Sequence, residues 1–242
     1  GTTLGWRQLG NDIDGYSATG TFGHSVSLSS DGTILAIGDH GYHNTNANDD
    51  DEGVARIYKY INSAWTQLGI DYVGDTIDEA CGKKVALNGD GSIVAIASHM
   101  YSSFNLEGIN YPDGYRDGRV RVFETGNNVT RTINLTTLSA STKPKLNKEG
   151  NKLTILNEHH FSDLSGNGEV QTYEYSASDT SWNYLGDKIE NSALNDLSGG
   201  DISINDDGNI IAIGYPQTNS ATGTTKVYKY DSSWNQIGSN ID

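Results

Sequence analysis

The chain has 242 residues, enough for one large all-β domain or two small domains. Gly (29) and Tyr (14) are abundant while Pro (3) and Cys (1) are scarce, a composition typical of short strands joined by tight turns. The net charge of −15 argues against nucleic acid and anionic membrane surfaces as partners, because both are negatively charged. No apolar run approaches the ~18 residues of a membrane span, so we expect no membrane insertion.

The first predicted element, at residues 6–14, carries the pattern Trp-x-x-Leu-Gly at Trp6, Leu9 and Gly10. The same pattern, with Leu or Ile at its fourth place, returns three times and uses every tryptophan of the chain. The three later tryptophans are Trp65, Trp182 and Trp234. We interpret them as packing residues of an outer strand, with stacking on a sugar as the alternative.

A longer unit follows at residues 23–38 and recurs at 82–97 and 199–214, with a weaker copy at 141–156. Each copy predicts an alternating strand A, a tight turn, an apolar strand B, and a strand C that opens with glycine and ends in aromatic residues. The Trp pattern supplies strand D. The turn glycines step by 59, 59 and 58 residues, which indicates a true repeat; they are Gly32, Gly91, Gly150 and Gly208.

Four-stranded repeats of this length predict an all-β fold, a β-propeller of four antiparallel blades in one domain spanning 1–242. The blades are predicted at 22–74, 81–137, 139–190 and 197–242, with an extra D-type strand at 6–14. Because this gives 17 strands where a closed four-bladed ring needs 16, either the Trp6 strand or the Trp234 strand must be displaced. The alternative is that the chain is part of a larger propeller. We expect a closed ring of four blades.

Two local features are consistent with this parse. Pro144 falls in strand A of blade three, an edge strand in which a missing N–H is tolerated. Blade two has a degraded strand D near residues 130–137, without a tryptophan. Cys81, the single cysteine, cannot form an internal disulfide, and we expect it to be a small buried residue at the start of strand A of blade two.

The segment Phe22-Gly23, with the following Ser-Asp-Gly turn and Ala36-Ile37-Gly38, resembles the FG-GAP repeats of secreted and surface proteins such as integrin α-subunit heads. The resemblance covers essentially the whole chain and is weakest in blade three. It implies an extracellular or surface interaction module without catalysis. It does not carry over the family's usual calcium loop, since the A–B turn here is too short to surround a cation.

The long B–C loops, at 40–52, 98–117, 157–167 and 215–222, should share one rim with the D–A connections, where binding is expected. Aromatic and histidine residues gather there and could bind a glycan or an anchor residue of a protein, or could pack the loops onto the rim. The candidate ligand-binding residues are Tyr42, His43, Tyr101, Phe104, Tyr111, Tyr115, His159, His160 and Tyr215. The adjacent pair His159-His160 is a weak metal signal.

The first B–C loop is strongly acidic and is the candidate metal site. So many carboxylates in a short loop repel one another unless solvent or a cation offsets the charge, and Ca²⁺ prefers oxygen ligands. The predicted calcium ligands are Asp39, Asp49, Asp50, Asp51 and Glu52. The alternative is a solvated acidic loop.

The sequence therefore predicts a non-catalytic extracellular or surface module (secreted, on a cell or on a virion) that binds a protein through its loop rim. Sequons at Asn128 and Asn134 favour this location. The start at Gly1 suggests a processed or excised piece of a longer product. A carbohydrate-binding propeller is the alternative. A glycoside-processing enzyme is less favoured, because no catalytic motif is present and paired carboxylates would have to meet in space.

Overall fold

A computed structural model of the chain describes residues 5–16, 20–43, 51–76, 79–99, 117–126, 129–139, 142–157, 168–190, 200–216 and 222–242. Within these ranges the regular structure consists of strands. No helix in them is long and apolar enough to cross a membrane.

The strands form four antiparallel sheets in which sequence neighbours are spatial neighbours, so each repeat is one blade. In blades one and two the strands A to D are β1 (Ser25–Leu28), β2 (Ile34–Asp39), β3 (Val54–Ile61), β4 (Ala64–Gln67), β6 (Lys84–Leu87), β7 (Ile93–His99), β8 (Asp117–Glu124) and β9 (Thr130–Ser139). In blades three and four they are β10 (Lys143–Leu146), β11 (Lys152–Asn157), β12 (Glu169–Ser176), β13 (Ser181–Tyr184), β15 (Ile202–Ile204), β16 (Ile210–Tyr215), β17 (Thr224–Tyr230) and β18 (Trp234–Gln236). The predicted fold, a β-propeller with four blades, is confirmed.

The local sequence explains each hairpin. Strand A ends in a turn whose glycine has a positive φ, as at Gly32 (73°), which places a left-handed residue where glycine costs least. Pro144 pairs with Ile155 in the edge strand β10, as predicted. Strand D of blade two forms as β9 without its tryptophan, but its pairing with β8 is irregular between Gly118 and Val122.

The outer strands settle which Trp segment completes the last blade. β18, which contains Trp234, pairs with β17 and is the fourth strand of blade four. The Trp6 segment forms no strand; it lies beside blade one, where the Trp65 indole N–H donates to the Leu9 carbonyl at 2.8 Å. The Trp182 and Trp234 indoles donate to outer-strand carbonyls of the preceding blades in the same way. The later tryptophans therefore pack between blades, as interpreted from the sequence.

Two short strands run along the D–A connections and pair with strand C of their own blade. They are β5 (Tyr72–Val73), which pairs with β3, and β14 (Ile189–Glu190), which pairs with β12. Because of this pairing, the D–A connections lie on the same edge of the blades as the B–C loops.

In the described part of the chain the hydrophobic core consists of three layers, each between two consecutive blades. In the first layer Ile57 of blade one packs with Val94 and Ile96 of blade two, and all three are fully buried. Strand B is buried on both faces in blade two, which explains its continuous apolar sequence. Blades two and three thus each contribute to two core layers, whereas blades one and four each contribute to one.

The inner turns are joined by one hydrogen bond per interface. The backbone N–H of Ser30 donates to the Gly89 carbonyl, Gly89 donates to Lys148, and Lys148 donates to Asp206, at 2.7, 2.9 and 3.2 Å. A buried asparagine strengthens two of these junctions, since the Nδ2 groups of Asn88 and Asn147 also reach the next blade's turn. The series runs from blade one to blade four and has no described member from blade four to blade one.

Among the described residues, the fourth interface of a closed ring is not formed. The inner strands lie side by side as β1–β6, β6–β10 and β10–β15, but in the described part of the chain β15 has no comparable contact with β1. Val26 and Leu28 of β1 are 62% and 56% exposed, although Val85 and Leu87 at the same places in blade two are buried. The four blades therefore form an open arc, which differs from the closed ring that we expected.

This arrangement predicts that the same substitution, made at equivalent sites of two blades, lowers the free energy of unfolding by different amounts. Asn88 Oδ1 accepts from the buried Ile93 N–H at 2.9 Å, and its Nδ2 reaches Lys148 of the next blade. Asn205 Oδ1 accepts likewise from Ile210, but among described residues its Nδ2 bonds only within blade four. Asn88→Ala should lower the free energy of unfolding by about 2 kcal/mol and Asn205→Ala by about 1 kcal/mol, measured by urea denaturation. Equal losses would contradict an open fourth junction.

Candidate functional site

The candidate site is the upper rim, defined as the edge where strands B end, strands C begin and the D–A connections run. Its described part includes residues 40–43, 51–53, 68–76 and 79–83 around blades one and two. At one equivalent position of strand C, opposite an isoleucine of strand B, every blade carries a polar residue. The four residues are Arg56, Arg121, Gln171 and Lys226.

Arg56 organises the rim of blade one. Its side chain is only 2% exposed and forms a two-point pair with Asp71, with Nε and Nη2 donating at 2.9 and 2.7 Å. Gln67 also donates to Asp71, at 2.7 Å. The rings of Tyr16 and Tyr42 lie 4.3 and 4.8 Å from the guanidinium carbon, within cation–π range. We call Tyr16, Tyr42, Arg56 and Asp71 the blade-one cluster.

The charges in this cluster are mutually stabilised. Burial alone would lower the pKa of Arg56, but the hydrogen bonds and charge of Asp71 outweigh burial and raise it. Burial would raise the pKa of Asp71, but the bonds from Arg56 and Gln67 lower it below its usual 3.8. Both groups therefore stay charged over the physiological pH range. The guanidinium is a fixed platform beneath the two tyrosines.

A second network fixes the junction of blades one and two. Glu79 is fully buried; its Oε1 accepts from Ser98 Oγ at 2.8 Å and lies 3.2 Å from Arg121 Nη2. Asp75 binds the same arginine at 3.1 Å, and Arg119 at 2.6 Å. Two carboxylates and two guanidinium groups thus pair with one another and tie the D–A connection to strand C. Each of the two carboxylates is held by at least one arginine.

Cys81 belongs to this network and is buried, as predicted, although strand A of blade two begins only at Lys84. Its thiol donates to the Tyr72 carbonyl at 3.3 Å and lies 3.1 Å from Arg121 Nη2. Burial raises the pKa of the thiol to about 11, although Arg121 opposes the rise. Cys81 is therefore a thiol rather than a nucleophilic thiolate at neutral pH.

Two histidines lie at the inner end of the rim. The rings of His24 and His40 meet edge to face, with centroids 4.3 Å apart. Burial, and then the charge of Lys83, lower the pKa of both, and that of His40 falls to about 4. The imidazoles are therefore neutral at pH 7.

The described acidic residues of the first B–C loop bind different partners. Asp39 is buried, and its Oδ1 accepts from the backbone N–H and hydroxyl of Thr21 at 2.7 and 3.2 Å. Asp51 Oδ1 lies 3.3 Å from His43 Nε2. The carbonyl of Glu52 accepts from the Cys81 N–H at 2.9 Å. No group of three or more potential metal ligands occurs in the described ranges; Asp49 and Asp50 lie outside them.

The predicted aromatic residues have diverse surroundings. Tyr42 joins the blade-one cluster, whereas Tyr215 is buried in the core between blades three and four, with Lys226 Nζ 4.7 Å from its ring centroid. A hollow of about 340 Å³ beside it is lined by Asp201, Pro216 and Thr224, among others. The predicted residues outside the described ranges are Tyr101, Phe104, Tyr111, Tyr115, His159 and His160.

Sequence reasoning missed Tyr16 and the arginine networks. Tyr16 lies between the predicted strand D segment and blade one, outside every B–C loop. A signal for the arginines was present, since Arg119 and Arg121 alternate on a strand and must share a face. Their partners, Asp75 and Glu79, lie more than 40 residues earlier, and no periodicity indicates such a pairing.

Comparisons with known proteins support the fold. No family model and no curated protein matches the chain. Solved structures do match: hydrazine synthase of Kuenenia stuttgartiensis (TM-score 0.50, 13% identity, 88% of this chain, 52% of that one), the propeller domain of the Trilobed protease of Pyrococcus furiosus (0.51, 10%, 92%, 59%) and the Dos1 propeller (0.51, 13%, 90%, 46%).

The chain is similar to β-propellers. At 10–13% identity this likeness shows the fold alone, and enzymes are among the matched proteins. The chain spans about half the length of these structures. Its resemblance to FG-GAP repeats stays a prediction.

The Arg56–Asp71 pair predicts a defined pH dependence. Asp71→Asn leaves a buried guanidinium without its counter-ion and should lower the free energy of unfolding at pH 7 by about 3 kcal/mol. Because the folded-state pKa of Asp71 is lowered from 3.8, its contribution is present above pH 3.8 and is lost as pH falls further. The difference in Tm between wild type and variant should therefore narrow below pH 3.8. The exposed Asp231→Asn serves as control; a constant difference would contradict the assignment.

Proposed function

We propose that this chain is a non-catalytic interaction module that binds a protein partner through the upper rim, with the blade-one cluster as the anchor. The observation that carries the proposal is that the Tyr16 ring is both exposed to solvent and held by a contact with Arg56. Its ring is 70% exposed although it lies on the guanidinium of the buried Arg56. A large aromatic ring is thus held in place and presented to solvent.

Such an arrangement suits a protein partner. Tyrosine and arginine are enriched among the residues that dominate interface energies, since they bury a large area at little entropic cost. Asp71 fixes Arg56, and Arg56 in turn supports Tyr16 and Tyr42, so little order remains to be gained on binding. His43 and Asp51 lie on the adjacent B–C loop and provide polar groups at the edge of the cluster.

The absence of catalysis belongs to the same proposal. The carboxylates that converge in the described rim, Asp75 and Glu79, are both bound by arginines. Cys81 is held as a neutral thiol. Because the potentially reactive groups of the rim are engaged in holding its loops in place, the rim is better suited to binding a partner than to catalysis.

A carbohydrate-binding module is the second candidate, favoured by the same exposed ring. An exposed tyrosine face beside charged and amide groups can stack on a sugar and bind its hydroxyl groups. The extracellular or surface location is part of the proposal as well, and its support is the resemblance to FG-GAP repeats.

The test compares two tyrosines of equal exposure. Tyr16→Ala removes the proposed anchor, whereas Tyr184→Ala removes a ring that is 72% exposed on β13, at the outer edge of blade three. Wild type and both variants are immobilised and exposed to surface proteins of the source and to a glycan array. A captured protein is then purified and titrated by calorimetry.

We expect a protein ligand whose Kd rises about 10-fold or more for Tyr16→Ala and less than about twofold for Tyr184→Ala. Glycan binding that Tyr16→Ala abolishes would instead establish the carbohydrate-binding candidate. Equal binding by wild type and Tyr16→Ala would remove the blade-one cluster from the site.

We also propose that the acidic first B–C loop binds Ca²⁺. Asp39 Oδ2 is buried without a hydrogen-bond partner in the described part of the chain, a state in which a carboxylate oxygen is costly. Both Asp39 and Asp51 raise the pKa of His40, so both carboxylates act on the same part of the rim. A cation held with Asp49, Asp50 and Glu52 would offset this charge.

Calcium binding by the folded protein must raise its melting temperature. We expect millimolar CaCl₂ to raise the Tm of wild type and to leave that of Asp49→Asn/Asp50→Asn unchanged. NaCl at equal ionic strength controls for screening of the loop charges. An unchanged wild-type Tm would show that the loop is simply solvated.

A further inference from the structure

The two ends of the arc carry the two halves of one blade interface. At the blade-one end, Val26 and Leu28 of β1 are exposed where the equivalent Val85 and Leu87 are covered by a preceding blade. We call this the leading face. At the blade-four end, Ile210 and Ala212 of β16 are partly exposed, although Ile34 and Ala36 at the same places in blade one are buried. We call this the trailing face.

We propose that the trailing face of one copy of this chain binds the leading face of a second copy, and that two copies close a ring of eight blades. Each interface inside the chain joins a trailing face to a leading face, so the intermolecular interface continues one that the chain already forms three times. The apolar area that is exposed at the two ends is then buried as it is elsewhere in the chain.

The hydrogen bonds of the inner turns extend across the proposed interface. Ser30, Gly89 and Lys148 each donate a backbone N–H to the turn of the next blade, and the last acceptor is the Asp206 carbonyl. By the same repeat, the Asp206 N–H donates to the Ser30 carbonyl of the second copy. Asn205 occupies the place of Asn88 and Asn147, so its Nδ2 can reach the same carbonyl.

A side-chain hydrogen bond that joins blades one and two can also form, in the same register, across the proposed interface. Ser27 Oγ of β1 accepts from the Leu87 N–H of blade two at 2.9 Å. Ser203 occupies the place of Ser27 in blade four, and Leu28 occupies the place of Leu87 in blade one. Ser203 Oγ can therefore accept from the Leu28 N–H of the second copy.

Ring closure by two copies agrees with the curvature of known propellers. The Trilobed protease propeller domain and the Dos1 propeller superpose on four blades of this chain with TM-scores of 0.51, and the superposition covers 59% and 46% of their lengths. The four blades thus match about half of the length of each of these propellers, and a second arc of the same size would supply the other half.

Residues 5–14 and β18 of a docked second copy would compete for the same outer position beside blade one. Leu9 and Gly10 lie against Trp65, where β18 of a docked second copy would place Ile237 and Gly238. Residues 5–14 form no strand, whereas β18 makes three ladder pairs with β17. Residues 5–14 are therefore the segment that is displaced on docking, and in the free chain they occupy the position beside blade one.

The experiment is light scattering after size exclusion, with the full chain at about 100 µM, where an interface of ordinary size is occupied. We expect twice the 26.1 kDa mass of one chain. Val26→Lys/Leu28→Lys places two charges in the proposed interface and should raise the dimer Kd about 100-fold or more. Both positions are exposed in the single chain, so its Tm should change little. Val129→Lys, at a 50% exposed site on blade two, is the control and should dimerise as wild type does.

A further variant tests the competition. Gly10 has a φ of 77° and a Cβ at this position would lie 3.0 Å from Trp65 Cδ1, so Gly10→Val loosens residues 5–14 and should tighten the dimer. A monomeric wild type, a dimer that Val26→Lys/Leu28→Lys leaves intact, or a series of ever larger oligomers would each overturn the two-copy ring.

Discussion

The structure depends on one constraint, which is that each blade must bury both of its faces. A four-stranded sheet whose strand B is buried on both faces, such as β7, cannot stand alone in water. Its stability comes from the layers it shares with the blades on either side. Residues such as Ala36 and Ala95 are fully buried because a neighbouring blade covers them, and not because of anything within their own sheet. Stability is therefore a property of consecutive blade pairs.

This constraint explains why the ends of the array differ from its middle. Equivalent residues are buried inside the array and exposed at its ends, as Val85 and Val26 show. The inner turns obey the same rule, since Gly91 is packed closely by Ile34 of the preceding blade while Gly32 meets only Leu28 of its own blade. Every blade has a preceding and a following neighbour except the first and the last. The outer faces of those two blades therefore stay exposed in the open arc.

Much of the fold could be predicted because the blades repeat the same local sequence patterns. Strand alternation, the turn glycines and the Trp patterns gave the four blades, and even Pro144 and Cys81 were placed correctly as edge and buried residues. Closure could not be predicted, because the 6–14 and 234–242 segments carry the same pattern and only tertiary pairing distinguishes them. The candidate site was partly predicted for a similar reason. Tyr42 was found from its loop, but Tyr16 and Asp71 reach Arg56 through contacts that no local pattern encodes.

The polar residue at the equivalent strand C position of each blade, such as Arg56 or Arg121, shows how one scaffold position serves stability and, in the proposed function, recognition. It enters the core layer from the rim, where a charge must be paired or covered. Arg56 meets this requirement with Asp71 and two tyrosines, Arg121 with Asp75 and Glu79, and Lys226 with the Tyr215 ring. In blade two Arg121 and Glu79 are buried, whereas in blade one the outer layer is an exposed aromatic ring. The same structural demand, met by different neighbours, therefore leaves the proposed recognition surface on blade one.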